Sequence, residues 1–559
     1  METNLFDHLE ATAANGDEAH WAFRAPYKPH ERFDLMLVPR VSDWREDPRS
    51  LEALDRIEAD LAVASLSRDG KQVWLRLEDG WIEGAGAALE DGGADEAAFA
   101  DLAAGRGYAV YFWGANTTKA LHIGHLRNLA IGHALGAAFA QAGARVERRS
   151  LICDVGRSMG EAMAGIVKSG RDQQVWPDGG EKSDHFVGAC YADYVMAGRA
   201  ANGNGDGAED SVAREEALYD DQADELMMRV LSGDQEALEL WSKTRAWVIA
   251  GQRKTLARLG IAFDKVIFES DFLPEVAEYT NQGLAEGKLV RRRGDEMVMY
   301  QTGREELEEM PLVRADGLPT QHMRALAYWA AAPELDDMTS LQICGTEWVA
   351  HVTCRRKLMD ELGVANGNGY ASRKGGGPPT HDVFHGMVAR QKRAITSSQE
   401  GALLIDDLAE WLEEQIAADP ERRELRARNP EPDHVAAQIA LAYFLLVTTT
   451  KRVEFEPEDL LVSRHSLGWD LVRAQAHEAT APDAAAPAAD PEYRFAVVQA
   501  QMHRVHLRSA VEELDVVALA RYLSHFARWY AEGERSPRVE RVSRTIIDRG
   551  IRGLGLEAA

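Results

Sequence analysis

Hydrophobic and polar positions divide the chain into stretches of different texture. Over residues 1–105 short helical and alternating runs succeed one another. Gln72-Val-Trp-Leu-Arg-Leu alternates in polarity and predicts a half-buried strand. The acidic, Gly/Ala-rich run from Gly84 to Gly105 predicts a helix and a connector. Tyr108-Ala-Val-Tyr-Phe-Trp is aromatic and β-branched, as suits a buried strand, and ends at the turn Gly114-Ala-Asn. From Gly124 the apolar residues Ile131, Ala134, Leu135, Ala138, Phe139 and Ala142 recur at helical spacing, with Gly143 placed to cap the helix. Arg149-Ser-Leu-Ile-Cys-Asp then predicts the next strand. Strand, helix and strand make a βαβ unit, the start of a doubly wound parallel sheet.

Beyond that unit, Ala197–Ser211 reads as a Gly-rich loop inside a mostly helical insertion, and Asn366–Thr380 as a second Gly/Pro-rich loop. From about Asp433 onward the pattern is helical without a strong strand signal, interrupted by the Ala/Pro-rich run His477–Pro491. A length of 559 residues accommodates three or four domains at roughly 150 residues each.

Composition narrows the function classes. Hydrophobic residues make up 45% and charged residues 28%, near the average of a soluble globular protein. No stretch reaches the roughly 18 uncharged apolar residues of a membrane span. Met1-Glu-Thr-Asn-Leu-Phe-Asp-His has neither a basic region nor an apolar core, so we expect no signal peptide, no membrane partner and a cytoplasmic protein. The four cysteines, Cys153, Cys190, Cys344 and Cys354, form no Cys-x-x-Cys pair, which points to free thiols and no structural metal. A net charge of −28 argues against non-specific coating of nucleic acid, yet leaves room for a local docking site for one folded RNA.

The candidate chemistry lies at the strand-to-helix turn. His122-Ile-Gly-His125 is short enough to arise by chance, but its setting sharpens it. Asn116, Lys119, His122 and His125 all fall between a buried strand and a helix N-terminus, where backbone N–H groups favour a phosphate. Gly124 lets a nucleotide approach the backbone, and two imidazoles and an ammonium can donate to a phosphate whose charge grows during attack.

Gly114-Ala-Asn-Thr-Thr-Lys-Ala-Leu-His-Ile-Gly-His-Leu-Arg-Asn resembles the signature of arginyl-tRNA synthetases, which are class I enzymes. Phe268-Glu-Ser, Val313-Arg-Ala-Asp-Gly-Leu-Pro-Thr, Phe384-His-Gly-Met-Val and Leu404-Ile-Asp-Asp-Leu are similar to later landmarks of that family. Ala518-Leu-Ala-Arg-Tyr-Leu-Ser-His-Phe-Ala looks like its anticodon-binding bundle. The resemblance implies an α/β fold: a Rossmann-type nucleotidyl-transferase domain over 106–430, with a helical insertion around 173–250. It further implies a small α/β tRNA-docking domain over 1–105 and an all-α anticodon-binding-type bundle over 431–559. It implies a two-step reaction: an amino acid and ATP, with Mg²⁺, give an aminoacyl-adenylate, and the acyl group passes to the 3′ end of a tRNA. The implied partners are tRNA, the amino acid and ATP, and we expect a monomer. Carried over by position, His122, His125 and Lys392 are the catalytic candidates. Asn116, Lys119, His122, Gly124, His125, Gly345, Gly386, Met387, Val388, Lys392 and Arg393 are the ATP-binding candidates. Lys392-Arg-Ala-Ile-Thr-Ser-Ser stands where the family has a lysine-rich loop that grips pyrophosphate.

The amino-acid half departs from the family. A guanidinium needs carboxylate partners, yet the positions that supply the family's recognition groups read Tyr111, Gln321, Ala325 and Trp348. Asn116 and Asp154 remain to hold the α-amino and carboxylate ends. The expected substrate is therefore an uncharged, bulky or aromatic-compatible amino acid, unless Glu347 supplies the missing acid. Two other functions stay open: a biosynthetic paralogue that hands its acyl group to another acceptor in a secondary-metabolite pathway, and a catalytically silent tRNA-binding protein. The divergent Gly468-Trp-Asp-Leu segment and the end at Gly553-Leu-Gly-Leu-Glu-Ala-Ala lead us to expect relaxed or altered anticodon reading.

Overall fold

The computed structural model describes residues 4–558 apart from 15–19, 70–71, 91–98, 173–179, 202–220, 332–337, 365–379, 391–392, 395–402, 448–449, 463–465 and 478–487. Its N-terminal part is an antiparallel sheet of β1 (Trp21–Arg24), β2 (Leu35–Pro39), β3 (Val63–Asp69) and β4 (Gln72–Leu77), in the order β1-β2-β4-β3. The alternating run forms β4, with Val73, Leu75 and Leu77 buried. Helices α1 (Leu5–Ala14) and α2 (Pro48–Glu58) pack beside it, and α3 (Asp79–Glu90) leads away from it.

The central sheet joins β5 (Gly107–Trp113), β6 (Arg145–Ile152), β7 (Lys265–Phe268), β11 (Thr339–Gly345) and β12 (Thr380–His385), all parallel, in the order β12-β11-β5-β6-β7. Strand order reverses between β5 and β11, so a crevice opens at their carboxyl ends, the usual ligand position in such sheets. Helix α4 (Ile123–Gln141) joins β5 to β6. Its expected apolar stripe is buried, but so are Leu126, Arg127, Leu129 and Ala130. The reason is that α4 is sandwiched between the sheet and the C-terminal helices, so no face of it is left to solvent along its middle.

After β6 come α5 (Arg157–Lys168), α6 (Ser183–Ala201), α7 (Asp221–Leu231) and α8 (Gln235–Arg258), which lead back to β7. Between β7 and β11 lie α9 (Leu273–Ala285), an antiparallel sheet of β8 (Leu289–Arg291), β9 (Val298–Arg304) and β10 (Leu307–Val313), and α10 (Gln321–Ala331). Helix α11 (Val349–Glu361) joins β11 to β12. The chain continues through β13 (Val388–Arg390), β14 (Arg393–Ala394), α12 (Ile405–Ala418), α13 (Pro420–Arg428) and α14 (Val435–Leu445). It closes with β15 (Val453–Glu454), α15 (Leu467–Ala476), α16 (Pro491–Glu513), α17 (Val517–Ala531) and α18 (Pro537–Gly553).

β15 departs from the helical reading of this region. It pairs in parallel with β13, Val388 opposite Val453. Two residues carry no strand periodicity, and a neighbouring backbone edge decides their conformation. The N-terminal part docks onto the C-terminal helices through Arg494 of α16, whose guanidinium bonds Asp34 at 2.6 Å, Asp79 at 2.5 Å and the Leu77 carbonyl at 2.6 Å.

Candidate active site

The turn after β5 builds one wall of the crevice. Asn116 forms a parallel bridge with Cys153 at the end of β6, and Thr117 donates its N–H to the Cys153 carbonyl at 3.1 Å. Gln252 of α8 holds the outer side, donating to the Lys119 carbonyl at 2.8 Å and the Asn116 carbonyl at 3.3 Å. The Lys119 ammonium lies 5.2 Å from the ring centroid of Tyr191 on α6, a cation–π contact that keeps the lysine beside the turn. Helices of the insertion thus form a second wall.

His122 is the N-cap of α4. Its Nδ1 accepts the N–H of Gly124 at 3.1 Å, and His125 Nδ1 accepts the N–H of His122 at 3.1 Å. An Nδ1 that accepts leaves the proton on Nε2 in a neutral imidazole. Burial, with the Lys119 charge nearby, pushes His125 down to about 3, and burial with the neighbouring His125 and Lys119 carries His122 well below its ordinary range. Both rings are therefore neutral Nε2–H donors near pH 7, adding two uncharged donors to the positive end of α4.

The far side of the turn is closed by the chain returning from beyond β14. Leu404 bridges His122, Ile123 donates to the Leu403 carbonyl at 3.0 Å, and Ile405 donates to the Leu121 carbonyl at 3.0 Å. Lys392 lies outside the described residues; Arg393 contributes backbone to β14. Gly345 ends β11 across the crevice, and the Glu347 carboxylate folds back over it, close enough that a Cβ on Gly345 would meet both oxygens at 2.2 Å. Glu347 is exposed at its outer side, and partial desolvation on its inner side raises its carboxyl above the ordinary range. Gly386 and Met387 form the β12–β13 connection and Val388 opens β13; the Met387 carbonyl accepts the N–H of Val453 at 2.9 Å.

The amino-acid candidates separate. Asp154 was expected to hold a substrate end, but its carboxylate is fully buried and accepts from Ser270 N at 3.0 Å, Ser270 Oγ at 2.7 Å and Arg245 Nη1 at 2.9 Å. Through these three bonds it braces β6, the turn after β7 and α8. Tyr111 places its hydroxyl 2.5 Å from that of Tyr328 and accepts from Arg149 Nη1 at 3.0 Å. Arg149, nearly fully buried, also pairs with Glu147 at 2.7 Å. Gln321 begins α10 and is half-buried, whereas Ala325 sits one turn later in the core. Trp348 is half-buried and meets the rings of His322 and His351 at 6.0 and 5.7 Å between centroids.

Sequence reading passed over the groups that hold this wall together. Glu269 and Arg324 form a buried ion pair at 2.7 Å, and Arg324 Nη2 lies 3.2 Å from Cys153 Sγ. Burial raises the Glu269 carboxyl, and the Arg324 charge offsets part of that rise. Glu269 is part of the recognised Phe268-Glu-Ser landmark and Arg324 lies between Gln321 and Ala325, so proximity to those positions was the available signal. Among the described residues, Asp184, His185 and Asp406 are grouped closely enough to hold a metal ion, but the Lys182 ammonium stands among them, 2.9 Å from Asp184 and 2.7 Å from Asp406.

Comparison with known proteins shows what the chain is similar to. Residues 102–318 match the model of the class I tRNA synthetase (R) catalytic domain. The arginine–tRNA ligase of Amoebophilus asiaticus is 30% identical over 367 residues, 61% of this chain and 57% of that protein. That of Treponema pallidum is 30% identical over 365 residues, 64% of this chain and 57% of its own length. The chain thus spans little more than half the length of these relatives. Among solved structures, the arginyl-tRNA synthetase of Thermus thermophilus has the same fold over 99% of both chains, with a TM-score of 0.69 at 18% identity. That of Plasmodium falciparum has a TM-score of 0.63 at 13% identity, over 99% of this chain and 96% of its own.

Proposed function

We propose that this chain, whose residues 102–318 match the class I tRNA synthetase (R) catalytic domain, activates an amino acid with ATP and transfers it to the 3′ end of a tRNA. The observation that carries the reading is that main-chain N–H groups fix both the His122 and the His125 imidazole at the N-terminus of α4. The α-phosphate gains negative charge as the amino-acid carboxylate attacks it, and pyrophosphate leaves with the electron pair. Two neutral Nε2–H donors, the Lys119 ammonium and the helix N-terminus meet that charge without rearrangement. This donor-rich wall fits the anionic nucleotide; Mg²⁺ would screen the charge of the phosphates it accompanies.

We further propose that the amino acid is uncharged. Tyr111 offers a phenol already shared between Tyr328 and the Arg149 guanidinium, and Ala325 offers no polar atom. Glu269, an acid at the crevice, is neutralised by Arg324. A substrate guanidinium placed beside Tyr111 would meet the chain's own cation instead of a carboxylate, at a cost of several kcal/mol on the order of an unpaired buried charge. Glu347 favours the competing arginine reading, since its carboxylate lies beside Gly345 at the end of β11.

ATP–pyrophosphate exchange against a panel of amino acids, with and without total tRNA, tests both proposals. Exchange with one or more uncharged amino acids is expected. Exchange with arginine alone would reject the altered pocket, and Glu347→Gln would then abolish it if Glu347 is the acid. Absence of exchange with every amino acid in both arms would reject adenylation.

A further inference from the structure

Arg127 follows the histidine turn on α4 and is fully buried, although it is a long cationic side chain. Its Nη1 donates to the carbonyl of Gly386 at 2.6 Å and to the carbonyl of Lys451 at 2.7 Å. One guanidinium therefore joins three segments distant in sequence: the helix carrying His122 and His125, the β12–β13 connection, and the strand entering β15. Gly386 is packed so closely that a Cβ there would lie 2.3 Å from the Lys451 carbonyl group, so no other residue fits without moving that strand. The next residue on α4 repeats the pattern. Asn128 donates Nδ2 to the Phe112 carbonyl of β5 at 2.6 Å, and its Oδ1 lies 3.1 Å from His385 Nε2. The β13 segment held this way pairs with β14, Ala389 opposite Ala394.

We infer that Arg127 is a positioning residue, stapling the β12–β13 connection and the 451–455 strand to α4 so that the two sides of the nucleotide crevice keep a fixed separation. Its consequence for ATP rests on the adenylation reading above; the staple itself does not. Burial lowers the guanidinium to about 10, which leaves it cationic near pH 7 and able to make charge-assisted bonds to both carbonyls. Carbonyl acceptors suit this role because they belong to the backbone segments being positioned.

Arg127→Met and Arg127→Lys, in the full chain, separate this role from simple core packing. MgATP binding is measured by calorimetry, and hydrogen exchange is followed at the Val453 and Phe455 amides, which bond to the Met387 and Ala389 carbonyls. Arg127→Met is expected to bind MgATP about tenfold more weakly and to exchange faster at Val453 and Phe455 than at Leu135 in the middle of α4. Arg127→Lys, which keeps the charge and can reach one carbonyl, is expected to recover part of both. Gly386→Ala, which pushes the Lys451 strand away with Arg127 intact, is expected to mimic Arg127→Met, and it carries the test if Arg127→Met does not fold. Unchanged exchange at Val453 and Phe455 in a folded Arg127→Met protein would overturn the inference. If the wild type binds no MgATP, the adenylation reading fails and the exchange data alone decide the staple.

Discussion

His125 Nδ1 accepts the main-chain N–H of His122 at 3.1 Å, which fixes how the His125 imidazole presents its proton, as the Gly124 N–H at 3.1 Å does for His122. With each Nδ1 occupied, Nε2–H is the only donor either neutral ring can offer. Replacing His125 by Ala should slow ATP–pyrophosphate exchange by about 100-fold, since one preorganised donor and one helix cap are lost together. Because burial holds the free-site pKa of His125 near about 3, the exchange rate should show no inflection from this pair between about pH 5.5 and 7.5. ¹⁵N chemical shifts of the two rings would report the neutral Nε2–H form across that range, and an imidazolium signal near neutral pH would contradict the assignment.

Lys182, His185 and Asp406 should give the fold a measurable pH dependence. The His185 Nε2 lies 2.9 Å from Asp406, and that hydrogen bond, opposed by burial and aided by Asp184, raises the imidazole pKa. Burial would raise the Asp406 carboxyl, but bonds from His185, Lys182 and Thr255 bring it down to about 2. A raised histidine stabilises the fold below its unfolded value of about 6.5 and loses that contribution as pH rises through the folded value. The depressed Asp406 contributes above about pH 4 and is lost only as pH falls toward about 2. Thermal melts should therefore show His185→Gln losing stability relative to wild type at about pH 6 and less at about pH 8.5. A difference that grows with pH would rule out the raised histidine.

Glu269 and Arg324 are each almost fully buried and bonded at 2.7 Å. Removing either partner leaves a buried charge, so Arg324→Met or Glu269→Gln should cost about 3–5 kcal/mol in denaturant unfolding. The double replacement Glu269→Leu with Arg324→Met should cost much less than the sum. Additive losses would show that the two groups act independently.

Arg494 should be the residue that most tightly couples the N-terminal sheet to the C-terminal helices. It is fully buried, and Asp34, its partner at 2.6 Å, is 2% exposed. Arg494→Ala leaves the Asp34 carboxylate with Arg76 at 3.6 Å and the Leu77 N–H at 2.8 Å, and should cost about 3 kcal/mol, with faster proteolysis within residues 1–105. Proteolysis unchanged from wild type would place the coupling in the apolar contacts instead.

The βαβ unit was legible because its signals are local: an aromatic, β-branched run, a turn, and apolar residues at helical spacing. The histidine pair was legible for the same reason, since its place at a strand-to-helix turn follows from residues within one short segment. Arg127, Gln252, Glu269 and Arg324 were not, because each acts on a partner far along the chain. Asp154 shows the limit most clearly. Its position at the end of β6 was readable, but its bonds to Ser270 and Arg245 were not.

The amino-acid sequence by itself determined the periodicity of the elements and the turn at a helix N-terminus, since these are properties of residue type and spacing; that Tyr111 and Ala325 stand where carboxylates would be is only what the resemblance implies. Only the tertiary structure decided which side chains those positions meet. The proton positions on His122 and His125, the guanidinium beside Tyr111 and the stapling of Gly386 to Lys451 all depend on hydrogen bonds a few ångströms long. Such bonds form where packing brings groups together, and the energy that selects that packing is spread over a core contributed by every part of the fold.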